Sequence, residues 1–410
     1  MRNASLSTSE ETRSKADIFK KDFEKNLENI RKKLTGQCFK FSAAKGVAIP
    51  KSGKSGFRPV VIAPIEDRIV QRAILDTLSD QPFVREIQRK EYNFGGIIDG
   101  GVAKSLRRAY KAGITHSFYV RTDIKDFFTN VPRDKLLSCV TNNIADPEFN
   151  KLIEAAATVE LSNLDQLKKY GNIFPLGENG VAQGSCLSPM LCNLLMHELD
   201  EFLNTEPFQA VRYIDDVIIF GPNRSQVRKR LREFKARLRT LGLDAYDPPP
   251  RGAKHDGSAK AAEGETAKGF SFLGCEVTRT AIRPGPKARK SLIEKVRGIY
   301  ERGIASQRHI VLAAREAAST SDHPSVLYTL WRVSNTVRAW GGAFSFCTDT
   351  RIFHQLDISL FEEYQKFRKG WRARINGESQ ANIQRSLGIQ LLEDIPLDDD
   401  FLKLVASQAS

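Results

Sequence analysis

The stretch that most constrains this chain is an apolar run, residues 211–220, with two adjacent acids in its middle: Val-Arg-Tyr-Ile-Asp-Asp-Val-Ile-Ile-Phe. The β-branched and aromatic residues on both sides predict a strand, a tight turn and a second strand, with Asp215 and Asp216 at the turn. Two carboxylates at contact distance repel each other, so a divalent cation or a basic neighbour must offset the repulsion. Taken alone, the stretch also fits an ordinary hairpin turn, because Asp favours turns.

A second β-rich run, residues 118–128, contains further acids: Phe-Tyr-Val-Arg-Thr-Asp-Ile-Lys-Asp-Phe-Phe. If its strand and the hairpin are neighbours in one sheet, Asp123 faces Asp215 and Asp216. Three carboxylates around two cations form the arrangement that enzymes use for in-line phosphoryl transfer. The residues by themselves therefore predict two-metal phosphoryl transfer and nothing more specific.

Between the two acidic runs lies the turn Gln-Gly-Ser-Cys-Leu-Ser-Pro, residues 183–189, which leads into an apolar helix. The order of acidic strand, QGSCLSP turn with helix, and YIDD hairpin resembles the palm of reverse transcriptases. The resemblance extends from about Lys51 to Gly274 and is closest to the group II intron, retron and bacterial defence-associated branch. It implies an α+β right-hand polymerase fold, with an N-terminal helical extension over 1–45, fingers over 46–122, a palm over 123–285 and a helical thumb over 286–410.

The resemblance also assigns the residues of the site. The catalytic acids are Asp123, Asp215 and Asp216, and two Mg²⁺ ions, for which Mn²⁺ can substitute, contact Asp123, Ile124, Asp215 and Asp216. Contacts with the incoming deoxynucleoside triphosphate fall on Lys51, Lys54, Arg58, Asp126, Phe127, Phe128 and Gln183. The primer grip falls on a predicted strand pair, at Phe272, Leu273 and Gly274.

Two of these assignments have a plain alternative. Phe128 takes the position of the family's steric gate, where a ring beneath the sugar excludes a 2′-hydroxyl, but it also fits a core phenylalanine. The family's fingers lysine matches either Lys51 or Lys54, at the tip of a predicted hairpin. The Gly/Lys-rich tip is not a P-loop, because Ala48 stands where that motif needs a glycine and because a strand follows.

Three segments have roles that the sequence leaves open. The Pro/Gly/Lys-rich stretch 247–269 predicts a long loop in place of the family's short turn, whose lysine can protonate the leaving pyrophosphate; Lys254 and Lys268 are the candidates here. The Gly-rich segment 93–101 predicts a turn that either contacts the template backbone or is purely structural. The basic face of the helix predicted after Asn223 is either solvated or a nucleic-acid contact.

The composition fits a polyanionic partner. The chain has 410 residues and a formal net charge of +14, which favours binding to a phosphate backbone. The cysteines form neither C-x-x-C pairs nor zinc-type spacing with His, so free thiols in a reducing cytoplasm are expected. We find no secretory signal and no apolar run of membrane-spanning length.

The sequence thus predicts an RNA-directed DNA polymerase that binds an RNA template, deoxynucleotides and its DNA product. An RNA-dependent RNA polymerase is one alternative, against which Phe128 argues; a catalytically silent RNA-binding protein is another, against which the three acids argue. For the biological role, the resemblance suggests copying of a dedicated noncoding RNA in defence against phage. A group II intron maturase and a retron enzyme are the competing roles.

Overall fold

The computed structural model describes residues 10–51, 56–250, 260–315, 324–389 and 391, and its fold is α+β. The chain divides into two compact units, Met1–Leu273 and Gly274–Ser410. The boundaries predicted for extension, fingers, palm and thumb remain predictions.

Helices form most of the first unit. In chain order the α-helices are α1 Glu10–Lys21, α2 Phe23–Thr35, α3 Ile65–Ser79, α4 Pro82–Arg89, α5 Val102–Thr115, α6 Phe127–Asn130, α7 Arg133–Thr141, α8 Pro147–Ala157, α9 Leu164–Leu167, α10 Ser188–Leu203 and α11 Arg224–Thr240.

All but the last of the described strands of the first unit belong to a hairpin and to one larger sheet. The strands are β1 Lys45–Pro50, β2 Phe57–Ile62, β3 Phe118–Asp123, β4 Gln209–Tyr213, β5 Asp216–Gly221, β6 Ala262–Glu265 and β7 Phe270–Phe272. β1 and β2 pair antiparallel, and the larger sheet has the order β4-β5-β3-β6 with every pair antiparallel.

The apolar residues Ile18, Phe19, Phe23, Leu27 and Ile30 recur at helical spacing and predict one helix over 16–34. The structure has two helices there, with a break at Asp22. The backbone of Asp22 has φ −119° and ψ 45°, and its carbonyl accepts from the amide of Asn26 at 2.9 Å. Asp disfavours a helix interior because its side chain competes for backbone hydrogen bonds. Apolar periodicity therefore continues across a point where the backbone changes direction.

The core of the first unit lies where α10 and α11 pack on the sheet. Strand β5 is central, so Val217–Phe220 is fully buried and reads as a continuous apolar run without alternation. Helix α11 buries one apolar stripe at helical spacing, formed by Val227, Leu231, Phe234 and Leu238.

Some basic side chains of α11 bind other parts of the protein. Arg228 donates to Glu263 of β6 at 2.6 and 2.7 Å, which ties the helix to the edge strand. The guanidinium of Arg230 lies 4.4 Å from the ring centroid of Phe202 and 4.2 Å from that of Phe208. These side chains have structural partners, so their charge alone does not indicate a nucleic-acid contact.

The second unit is mainly helical. It contains the antiparallel pair β8 Cys275–Val277 and β9 Ile282–Pro284, followed by α12 Pro286–Arg315, α13 Val326–Ala343, α14 Thr350–Ile375 and α15 Gln380–Leu387. Its core is apolar and aromatic, formed by Leu292, Val296, Tyr300, Val326 and Phe367. The buried carboxylate of Glu363 accepts from Arg297 and Lys366, as a buried charge requires.

Two expectations from the sequence concern the cysteines and membrane-spanning segments. All six cysteines are free thiols, in agreement with the sequence. None of the described helices combines the length and apolarity needed to cross a bilayer.

Candidate active site

The two acidic runs form neighbouring strands. β3 and β5 pair so that Asp123 lies directly opposite Asp216. The amide of Ile124 donates to the carbonyl of Asp215 at 2.9 Å, which fixes the end of β3 against the hairpin turn. This register confirms that Asp123 faces the hairpin acids.

The acidic hairpin has a two-residue loop, Ile214-Asp215, closed by the pair Tyr213 and Asp216. Ile214 has φ +59°, a conformation that β-branched residues rarely adopt. Such backbone strain costs about 1–3 kcal/mol and persists only where the surroundings hold it. Gly95 packs directly against this turn, since a Cβ there would lie 2.7 Å from Ile214 Cγ1 and 2.8 Å from its amide nitrogen. At this position the Gly-rich segment 93–101 is structural.

The carboxylates interact strongly with one another. Burial raises the pKa of Asp215, and the negative charge of Asp123 raises it further. Burial likewise raises the pKa of Asp216 to about 7, with the charges of Asp215 and Asp123 as the next causes. Like charges opposite each other across two strands destabilise a sheet. The site therefore holds negative charge that favours a cation.

One cation from the chain already reaches these acids: Lys260 donates to Oδ2 of Asp123. Burial alone would lower the pKa of Lys260, but its bond to Asp123 and the nearby charges of Asp215 and Asp216 raise it. Sequence reasoning missed this lysine. No local sequence signal pointed to it, because Lys260 reaches Asp123 through the pairing of β6 with β3.

The lysines suggested by the sequence for proton donation do not take this place. Lys268 lies 3.1 Å from Glu265, an exposed neighbour on its own segment. Lys254 lies outside the described residues. The stretch 247–269, predicted as a long loop, instead contains strand β6 at Ala262–Glu265. Among the described residues of this stretch, Lys260 is the lysine in contact with Asp123.

The three carboxylates are chemically suited to a hard divalent cation, but their side chains do not converge on one point. Among the described residues, no three His, Cys, Asp or Glu side chains converge on a common metal position. Lys260 donates to Oδ2 of Asp123, so this lysine competes with a cation for that oxygen. Carboxylate oxygens are the ligands that Mg²⁺ prefers. Asp123, Asp215 and Asp216 supply such oxygens at the same end of β3 and β5. The side chain of Ile124 is buried and apolar, so only its backbone carbonyl could join them.

The predicted fingers hairpin is present. The amide of Lys51 donates to the carbonyl of Gly56 at 3.0 Å, beyond the ends of β1 and β2. Lys51 Nζ lies 3.7 Å from Oδ1 of Asp126, which brings the hairpin beside the loop after β3. Arg58 is exposed on β2, and its charge favours the ionised form of Asp215 by lowering that pKa. Lys54 lies outside the described residues.

The turn that contains Gln183 is attached to the fingers strand. The carbonyl of Gln183 accepts from the amide of Val61 at 2.8 Å. Gly184 has φ +123°, and a Cβ there would lie 2.6 Å from the carbonyl oxygen of Val61, so this close approach requires glycine. The hydroxyl of Ser188 donates to the carbonyl of Ala182 at 2.8 Å. These contacts fix the backbone of Gln183 against β2, the strand that carries Arg58.

The two phenylalanines after Asp126 have different surroundings. Phe127 is buried in the core at 2% exposure, so its ring is not available to a nucleotide. Phe128 is half-buried, with its ring centroid 5.7 Å from that of Phe127. Its carbonyl accepts from the amide of Val181 at 2.7 Å, which joins this segment to the one before Gln183. Phe128 alone of the pair retains an accessible surface, and its role as a steric gate stays a prediction.

The three residues assigned to the primer grip form a strand end and a turn. Phe272 is fully buried, Leu273 is half-buried and Gly274 is exposed. Leu273 and Gly274 have φ of +48° and +75°, so the chain turns sharply where the first unit ends. Their contact with a primer stays a prediction.

Taken together, these residues define a class of site. Three carboxylates at the same end of β3 and β5 can hold hard cations, and Arg58 and Lys51 add positive charge nearby. That combination is the one required for nucleotidyl transfer, in which positioning and electrostatic stabilisation provide most of the catalysis.

Comparison with known proteins agrees with this class and narrows it. Residues 49–247, just under half of the chain, match the family described as "Reverse transcriptase (RNA-dependent DNA polymerase)". The chain therefore contains a reverse transcriptase domain, as its motifs indicated.

Curated relatives match over a similar share of the chain. Protein YkfC of Escherichia coli is 28% identical over 183 residues, which cover 43% of this chain and 45% of YkfC. The group II intron-encoded protein LtrA of Lactococcus lactis is 25% identical over 184 residues, covering 44% of this chain and 28% of LtrA. An uncharacterised 91 kDa protein in the cob intron of Schizosaccharomyces pombe is 27% identical over 180 residues, covering 43% of this chain and 21% of that protein. The match thus spans less than half the length of each relative.

A solved structure of apo telomerase from Candida tropicalis aligns with 60% of this chain and 55% of its own, at 14% identity and a TM-score of 0.39. This similarity is too weak to add to the family match.

Proposed function

We propose that this protein is an RNA-directed DNA polymerase that extends a DNA strand by two-metal nucleotidyl transfer. The observation that supports this most is the register that sets Asp123 opposite Asp216, with Asp215 in the adjoining turn, inside a matched reverse transcriptase domain. Divalent cations, two Mg²⁺ ions in this proposal with Mn²⁺ as substitute, would supply activation of the attacking hydroxyl and neutralisation of the charge on the transferring phosphoryl group.

In this proposal each side chain has one task. Asp123 and Asp215 hold the cations, and Asp216 supports them from the opposite strand position. The positive charge of Arg58 and Lys51 balances the triphosphate. The ring of Phe128 excludes a 2′-hydroxyl beneath the sugar.

The decisive experiment is primer extension on a defined RNA template, with deoxynucleotides and ribonucleotides supplied separately. We expect Mg²⁺-dependent incorporation of deoxynucleotides by the wild type and by Asp165→Asn, a control at an exposed acid on α9. Ribonucleotide incorporation instead would identify an RNA polymerase. RNA binding without incorporation of either would identify a silent binding protein.

For the biological role, we propose that the template is a dedicated noncoding RNA and that DNA synthesis limits phage growth. This proposal rests on the resemblance of the motifs to the defence-associated branch. The test is a phage-plating assay with the wild type, Asp215→Ala and an empty vector. Equal plaque counts for all three across a broad phage panel would remove the defence role.

A group II intron-type role is the second candidate. A specific observation favours it: LtrA is intron-encoded, and the relative from Schizosaccharomyces pombe lies in an intron. Sequencing the nucleic acid that copurifies with the protein separates the two roles, because an intron RNA and an unrelated noncoding RNA are distinguished directly.

A further inference from the structure

A buried arginine lies beneath the acidic hairpin. Arg212 of β4 is 1% exposed, and its guanidinium makes a bidentate pair with Asp200 of α10 at 2.7 and 2.6 Å. A third donor bonds Asn193 Oδ1 at 3.0 Å. These contacts satisfy the buried charge, as a desolvated guanidinium requires.

One further contact of this guanidinium is not needed to balance charge. Arg212 Nη1 also donates to the backbone carbonyl of Ile214 at 3.1 Å. That carbonyl belongs to the peptide that leads into Asp215, and Ile214 has the strained positive φ. A hydrogen bond at this carbonyl opposes rotation of the peptide, and hence opposes movement of the Asp215 side chain away from Asp123.

Hydrogen bonds from neighbouring segments also hold the backbone of Arg212 in place. Its amide donates to the carbonyl of Tyr92 at 2.8 Å, and its carbonyl accepts from the amide of Phe94 at 3.1 Å. Asn193, which already accepts from Arg212, donates to the carbonyl of Gly95 at 2.8 Å. Arg212 is therefore the residue at which segment 92–95, helix α10 and the hairpin meet.

We propose that Arg212 is a positioning residue, which holds the peptide between Ile214 and Asp215 so that the Asp215 carboxylate is oriented to bind a divalent cation. The activity part of this inference rests on the proposed polymerase function; the metal-binding part does not. The planar fork of arginine suits the task, because one group reaches Asp200, Asn193 and the carbonyl together.

The test compares Arg212→Lys with a matched control. A lysine keeps the positive charge against Asp200, but a single ammonium cannot span all three acceptors. We expect the Mg²⁺ concentration for half-maximal primer extension to rise about tenfold, the usual order for losing a hydrogen bond to a charged group. The apparent affinity for Mn²⁺, measured by electron paramagnetic resonance without nucleotide, should fall equally, while KM for primer–template stays unchanged.

The control is Arg230→Lys, since Arg230 donates to the carbonyl of Phe202 at 3.0 Å and packs between two aromatic rings. We expect it to lower the melting temperature without changing Mn²⁺ affinity. A second variant, Gly95→Ala, presses directly on Ile214 without altering either partner of the Arg212–Asp200 pair. It should also weaken Mn²⁺ binding.

Several outcomes would overturn the proposal. The first is a folded Arg212→Lys protein with wild-type Mn²⁺ affinity. The second is an equal loss of Mn²⁺ affinity in Arg212→Lys and Arg230→Lys. The third is a loss of Mn²⁺ affinity that merely follows the unfolded fraction in both Arg212→Lys and Gly95→Ala. Absence of Mn²⁺ binding by the wild type would also overturn it. If the wild type binds Mn²⁺ but makes no DNA, the polymerase proposal fails while the affinity comparison still decides the role of Arg212.

Discussion

Replacing Asp216 with asparagine should stabilise the metal-free protein at neutral and alkaline pH. Burial and the charges of Asp215 and Asp123 raise the pKa of Asp216 from 3.8 to about 7 in the folded protein. In the unfolded chain the Asp216 carboxyl ionises near its ordinary pKa. The free energy of unfolding therefore falls as pH rises from about 4 to about 7, and the full loss of stability is present above pH 7. A shift of about 3 units corresponds to about 4 kcal/mol.

That figure is an upper value, because Asp216 is only half-buried and solvent screens part of the repulsion. We therefore expect Asp216→Asn to gain about 2–4 kcal/mol at pH 8 in a chelating buffer, or roughly 5–10 °C in melting temperature. Near pH 4 the gain should vanish, since the native carboxyl is then protonated. Mg²⁺ should reduce the difference at pH 8 by stabilising the wild type more than the variant.

The assay is thermal unfolding followed by circular dichroism between pH 4 and 8.5, with and without Mg²⁺. Asp126→Asn is the control, because Asp126 is exposed and its carboxylate lies 3.7 Å from Lys51 at the surface; such a pair contributes at most about 1 kcal/mol. A metal-free Asp216→Asn protein that is no more stable than the wild type at pH 8 would refute the reasoning from mutual repulsion.

Three further predictions concern the same site. Asp215→Asn combined with Asp216→Asn should lower Mg²⁺-dependent primer extension by at least about a hundredfold while circular dichroism stays native; full residual activity would remove the metal assignment. Phe128→Ala should raise ribonucleotide relative to deoxynucleotide incorporation by about tenfold or more in competition assays, and an unchanged ratio would make Phe128 a core residue. Lys260→Met should lower the Mg²⁺ concentration for half-maximal thermal stabilisation by about two- to fivefold, because a competing cation is lost; an increase would show that Lys260 supports metal binding instead.

The sequence predicted strands β3, β4 and β5, which lead to or carry the three acids, because their signals are local. The apolar run around Asp215 predicts its own strands, and strand pairing then has few registers that keep both faces buried. The first 35 residues show the limit of such reasoning, because the apolar spacing continues past Asp22 while the helix does not. Periodicity records which face is buried and carries little information on where the backbone breaks.

The sequence by itself predicted the class of chemistry, because a second acidic run and the QGSCLSP turn accompany the acidic hairpin in one order along the chain. Only the tertiary structure decided which groups surround those acids. Lys260 lies far along the chain from Asp123 and reaches it because β6 pairs with β3. Arg212 reads as one more strand residue until the fold places Asp200 and Asn193 of α10 against it. Local propensities act over a few residues, whereas the partners of a buried charge are chosen by the packing of distant segments.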